Sequence, residues 1–234
     1  MKLTSPERNS GVARRLFLAR LGAGAGVVSA TIAASPAAIA QVAASAPWRP
    51  TRHAQDDWLD KISGQHRLVF DTTSMDGMGS ALRFADNYFI ANGDAYGLKD
   101  SDLAVLIVAR HTSTPFGYND AIWAKYGKQL SELGDYTDPK TKESPNVNIY
   151  GTPGDASNKA GRLDGLIKRG AHVVVCQMSS REIAGSIAKA TGGDGDAILK
   201  EIGANLVGNA RFVPAGIVAV NRAQEHGYSL VYSD

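Results

Sequence analysis

The chain has 234 residues, with 25 lysines and arginines against 23 aspartates and glutamates, for a formal charge of +2. It is 44% hydrophobic and 21% charged, with 25 glycines and a single cysteine. Those values suit a globular protein able to bury a substantial core, and they exclude collagen-like, coiled-coil and disulfide-scaffold chains.

The first forty residues hold the basic excess. Lys2, Arg8, Arg14, Arg15 and Arg20 face Glu7 alone, a net of +4, so residues 41–234 carry 20 basic and 22 acidic side chains, a net of −2. A cationic start followed by a weakly apolar stretch rich in Ala and Gly, Leu16 to Ala40, has the build of a signal peptide, and Ala38-Ile39-Ala40 is a small-x-small cleavage pattern. Arg14-Arg15 before Leu16-Phe17-Leu18 resembles the twin-arginine export signature, an address read by the export machinery. Gly22, Gly24, Gly26, Ser29, Ser35 and Pro36 interrupt the stretch too often for a good membrane span. The expectation is a chain cleaved near Gln41 and delivered folded to the periplasm, with no stable membrane anchor. With its basic excess assigned to the address, the remaining chain has no electrostatic case for a nucleic-acid partner.

Residues 41–63 read as a leader with Trp48 and Trp58 as docking points, and residues 64–234 as one domain. His66 to Asp71 is a first strand, and Thr72 to Gly79 a polar turn. Ser80 to Ala91 has helical spacing, ended by Asn92-Gly93. Leu103 to Ala109 is a continuous apolar run, as expected of a strand covered on both faces. Asn119 to Leu133 reads as a helix. Gly134 to Gly154 is a polar insertion, too polar for core and suited to a lid or a subunit contact.

Ser157 to Lys168 is again helical, and Ala171 to Cys176 is the clearest strand in the chain. Ser179 to Glu182 has capping-box spacing for the next helix. A glycine-rich break, Gly192 to Gly195, precedes a helix over Ala197 to Leu206. Arg211 to Val213, Ile217 to Glu225 and Tyr228 to Tyr232 then read as strand, helix and strand. Alternation of this kind predicts one α/β domain with a mostly parallel sheet flanked by helices.

In such a sheet ligands bind beyond the carboxyl ends of the strands. Strand one ends in Asp71-Thr72-Thr73-Ser74, strand two in Arg110-His111-Thr112, and strand three in Cys176-Gln177, so these ends are expected on one rim. Cys176 is the residue of most interest, as a nucleophile or a sulfur carrier activated by Arg110, His111 or the start of the following helix near Ser179. Asp71, Thr72, Ser74, Gln177 and Ser179 are candidate ligand contacts. A lone cysteine closing a Val-Val-Val strand also suits a purely structural, buried role.

The other histidines have no metal-ligand spacing, and no glycine-rich phosphate loop or nucleophile elbow is present, so no metal or cofactor is expected. Phe116, Tyr118, Trp123 and Tyr126 fit core or subunit contact better than a pocket lining.

The runs His66-Arg-Leu-Val-Phe, Leu103 to His111 and Gly170-Ala-His-Val-Val-Val-Cys176, with the ending Phe212-Val-Pro-Ala-Gly-Ile-Val through Gln224-Glu-His-Gly-Tyr228, resemble the DsrE/DsrF-like family over about residues 65–232. The resemblance implies a small flavodoxin-like domain that assembles into trimers or hexamers. Some members carry sulfur as a cysteine persulfide, and Cys176 stands where such members hold their active cysteine. Two readings follow. One is an exported protein handling small sulfur species on Cys176; the other is a non-enzymatic oligomeric ligand-binding or assembly protein in which Cys176 is structural.

Overall fold

The computed structural model describes residues 49–138, 141–151 and 163–234. The signal-peptide reading, Trp48 and the first half of the helix expected over 157–168 lie outside the described residues.

Five parallel strands form one sheet: β1 (His66–Thr72), β2 (Leu103–Ala109), β3 (His172–Cys176), β4 (Ala210–Val213) and β5 (Ser229–Ser233), in the order β4-β3-β2-β1-β5. Its helices are α1 (Trp58–Lys61), α2 (Met75–Tyr96), α3 (Asp120–Gly134), α4 (Leu163–Lys168), α5 (Gln177–Thr191), α6 (Gly195–Ala204) and α7 (Gly216–Glu225). The result is the single flavodoxin-like α/β domain that the alternation of elements implies. None of these helices is long and apolar enough to cross a membrane.

Strand order and handedness explain the layers. From β1 to β4 each step moves to the same side, so right-handed crossovers put α2, α3, α5 and α6 on one face. The return from β4 to β5 runs the other way, and α7 therefore lies on the opposite face. Two cores match this division. The larger joins Phe70, Val105, Ile107, Val173 and Val175 to Met78, Leu82, Trp123, Ile187 and Ile202. The smaller joins Val69, Leu106, Val108 and Val174 to Ala219, Val220, Ala223 and, from α1, Leu59. Every residue of β2 is buried, as a central strand covered on both faces must be.

Several expected boundaries move for local reasons. Residues 72–79 do not form a turn throughout: α2 starts at Met75, because the Ser74 hydroxyl accepts the Gly77 N–H at 2.9 Å and caps the helix. Helix α5 starts at Gln177, two residues before the expected Ser179 cap, and its N-cap is Cys176.

The insertion after α3, too polar by composition for core, nevertheless buries some of its side chains. Tyr136 is buried, and its hydroxyl donates to the Thr112 carbonyl. Asn148 is also buried, and its amide donates to the carbonyls of Phe116 and Tyr118 at 2.8 Å each. Phe116 lies between Trp123, Tyr136 and Tyr150, with ring centroids 5.5, 5.1 and 5.0 Å away. The segment thus adds to the core through one buried tyrosine, one half-buried tyrosine and one carboxamide among many exposed polar residues.

Residues 58–62 of the leader are likewise part of the domain. Leu59 and Ile62 fill the smaller core, and Arg67 donates to their two carbonyls.

Candidate functional site

The carboxyl ends of β1, β2 and β3 do share one rim, and strand pleating divides their side chains between its two sides. Asp71 follows the parity of Val69, Arg110 that of Val108, and Cys176 that of Val174, so all three belong to the α7 side. The close approach of Arg110 to Gly216, the first residue of α7, fits that assignment: a Cβ on Gly216 would lie 2.5 Å from the Arg110 Cβ.

On this side Asp71 is committed to Arg110. Two hydrogen bonds run from Nε to Oδ1 at 2.6 Å and from Nη2 to Oδ2 at 2.9 Å, the fork geometry that an Arg–carboxylate pair favours. The pairing raises the Arg110 pKa against the opposing effect of partial burial, and Tyr232 and Cys176 also act electrostatically on the guanidinium. Asp71 is therefore a positioning group for a fixed cation, a role different from the ligand contact expected of it.

Cys176 is 6% exposed and is a free thiol. Its Sγ accepts the backbone N–H of Ser179 at 3.5 Å, so the sulfur itself caps α5. The sulfur thus stands by an amide donor at the positive end of a fifteen-residue helix, with Arg110 nearby.

The opposite side of the rim is different. Thr72 is fully buried, its hydroxyl donating to the Val108 carbonyl at 2.7 Å and lying 2.8 Å from Ser113 Oγ. Ser113 links the ends of β1 and β2 through the Thr72 and Arg110 carbonyls, a role its sequence context does not reveal. Thr72 is structural, and Ser74 caps α2.

A cleft of about 240 Å³ opens on this side, lined among others by His111, Tyr136, Ser179, Glu182 and Ile183. His111 enters it with a left-handed backbone, φ +55°, at the turn from β2 into the 3-10 segment His111–Gly117, and its ring Nδ1 lies 3.4 Å from the Thr73 carbonyl. A non-glycine residue held there is strained by about 1–3 kcal/mol. Cys176 does not line the cleft; Ser179 links the two by donating its N–H to the sulfur while bordering the cleft. Gln177 is half-buried at the first position of α5.

The expected set therefore resolves into three groups. Cys176, Arg110 and Asp71 form one cluster, His111 and Ser179 border the cleft, and Thr72 and Ser74 hold the strand-to-helix connections, with Gln177 alone falling in none of them. Sequence reasoning missed Gly216, Tyr136, Glu182 and Ile183. Of these only Gly216 carried a signal, standing after Pro214-Ala215 at a strand-to-helix junction. Among the described residues no group of three His, Cys, Asp or Glu side chains converges on a metal-sized site.

No protein-family model matches the chain, and no curated protein matches it. Among solved structures it is similar to a protein of unknown function from Methanobacterium thermoautotrophicum, at 16% identity and a TM-score of 0.33, over 72% of this chain and 99% of that one.

Proposed function

We propose that this chain is an exported DsrE-like protein that holds sulfane sulfur as a persulfide on Cys176. The observation that carries the reading is the position of the sulfur: it caps α5 through the Ser179 N–H, with Arg110 fixed nearby by Asp71. The resemblance in the strand ending at Cys176 and in the tail to Tyr228 supports the same assignment. Loading is a transfer between persulfides. The Cys176 thiolate attacks the outer sulfur of a donor R–S–SH; its Sγ–S bond forms as the donor S–S bond breaks. The donor leaves as the thiolate R–S⁻, the persulfide proton stays with the transferred sulfur, and no net oxidation occurs. The product persulfide ionises more readily than a thiol, which suits a site lined with an amide donor and a guanidinium.

Intact-mass measurement after incubation with a small organic persulfide tests this. The expected result is one added sulfur on the native chain and none on Cys176→Ser. Absence of the adduct on the native chain, or equal labelling of the variant, would overturn the reading.

The burial of Cys176 favours a second reading, an oligomeric ligand-binding protein in which the thiol serves only as a helix cap. Exposed Ile217, Val218, Leu230 and Tyr232 supply apolar surface for assembly. A thiol that resists alkylation in the folded protein and accepts no sulfur would select this second reading.

A further inference from the structure

The amino end of the sheet carries a second pocket, remote from the cysteine. His172 opens β3 and Cys176 closes it, a separation of about 13 Å at ~3.3 Å per residue. The pocket has a volume of about 360 Å³ and is bounded by Trp58, Lys61, Ile62, His172, Ala210 and Arg211, with Asn209 beside them. It forms where α1 packs on the smaller core, so that Trp58, Lys61 and Ile62 border one pocket with the first residues of β3 and β4. The volume lies within the range of small-molecule sites.

Its charge is one-sided. Three of the bounding residues are basic or titrate to a cation, and none is acidic. Among the described residues the partly buried arginines all have carboxylates, Arg67 with Asp60, Arg110 with Asp71, Arg169 with Asp86 and Asp100, and Arg222 with Asp56 and Glu225, whereas Arg211 is exposed. Among the described residues no ion pair forms at Lys61, His172 or Arg211. The Arg211 guanidinium is also held in place, lying 4.6 Å from the centre of the Trp58 ring. Burial lowers the pKa of His172, the Arg211 charge adds to that effect and a hydrogen bond with the Asn209 backbone opposes it, so the charge of the pocket comes from Lys61 and Arg211. Ile62, Ala210 and Trp58 supply apolar surface beside these cations.

We propose that this pocket binds a small organic anion, its phosphate or carboxylate group held by Lys61 and Arg211 and its apolar part resting on Ile62 and Ala210. A guanidinium held over an aromatic ring and an ammonium without a carboxylate partner, both beside an apolar wall, suit such a ligand. The proposal is independent of any chemistry at Cys176.

Calorimetric titration of the full chain with phenyl phosphate and with benzoate tests it, with phenol as the neutral counterpart. At least one anion is expected to bind saturably and phenol far more weakly. Arg211→Gln and Lys61→Gln should each weaken anion binding about tenfold or more, the loss expected of one charge-assisted contact, whereas Cys176→Ser should leave it unchanged. Both cations are exposed, so the variants should fold, as superimposable thermal melts would verify. Lack of saturable binding by either anion, phenol binding as tightly as the anions, or undiminished binding in both variants would overturn the proposal.

Discussion

Arg110 and Asp71 tie the ends of β2 and β1 together through two parallel hydrogen bonds, with the carboxylate almost wholly buried and the guanidinium about one quarter exposed. Removing either charge strands the other in a low-dielectric site, which costs about 3–5 kcal/mol for fully buried pairs. Because Arg110 retains solvent contact, Asp71→Asn should destabilise the fold by about 2 kcal/mol, below that range. Urea denaturation should show the midpoint falling at an unchanged slope. A variant as stable as the native chain would mean that the pair is already matched by its desolvation cost.

The sulfur of Cys176 has a structural duty separable from its chemistry. As N-cap it accepts the Ser179 N–H, which a serine hydroxyl can also do and an alanine methyl cannot. Cys176→Ser should therefore melt close to the native chain, and Cys176→Ala should lose about 1 kcal/mol. Equal stability of the two variants would show that the long sulfur contact contributes nothing to the helix.

The hydrophobic runs made the fold legible. Leu103–Ala109 declares itself a doubly covered strand, and Val173-Val174-Val175 does the same. The rim was legible only as a set of strand ends, because which face each side chain takes depends on pleat parity and strand order together. Asp71 and Thr72 show this best: adjacent in sequence, they point into different cores, one toward Arg110 and one toward Ser113. The buried residues of the insertion were not legible, because average polarity hides a few decisive side chains. Tyr136 and Asn148 are buried through partners on the 3-10 segment and its end, and no local pattern announces those partners.

That docking depends on a close approach between the insertion and α3. The Pro145 carbonyl lies directly against Gly127, where any Cβ would collide with it. Gly127→Ala should push residues 141–151 away and loosen the packing of Tyr150 on Phe116, at a cost of about 1–3 kcal/mol despite alanine's better helix propensity. Proteolysis of the native-state variant should cut within the insertion earlier than in the native chain. An unchanged pattern and melting temperature would show that α3 can yield instead.

The leader is fastened by a titratable contact. Asp60 on α1 accepts from His226 at 2.9 Å, with Arg52 and Arg67 also within 4 Å of its carboxylate. The hydrogen bond from His226 holds the Asp60 carboxyl below its usual value of 3.8, with the nearby positive charges adding to it and partial burial opposing it. A carboxyl whose pKa is lower in the folded state stabilises that state fully above its unfolded value and loses the contribution as pH falls through the folded one. The attachment of α1 should therefore hold from neutrality down to about pH 4 and weaken below it. The indole N–H resonance of Trp58, which packs on the smaller core, reports on this directly. It should shift toward its solvent-exposed position below about pH 4 in the native chain, and should already lie nearer that position at neutral pH in Asp60→Asn. Identical pH profiles in the two proteins would show that the apolar contacts of Leu59 and Ile62 hold the leader without help from the ion pair.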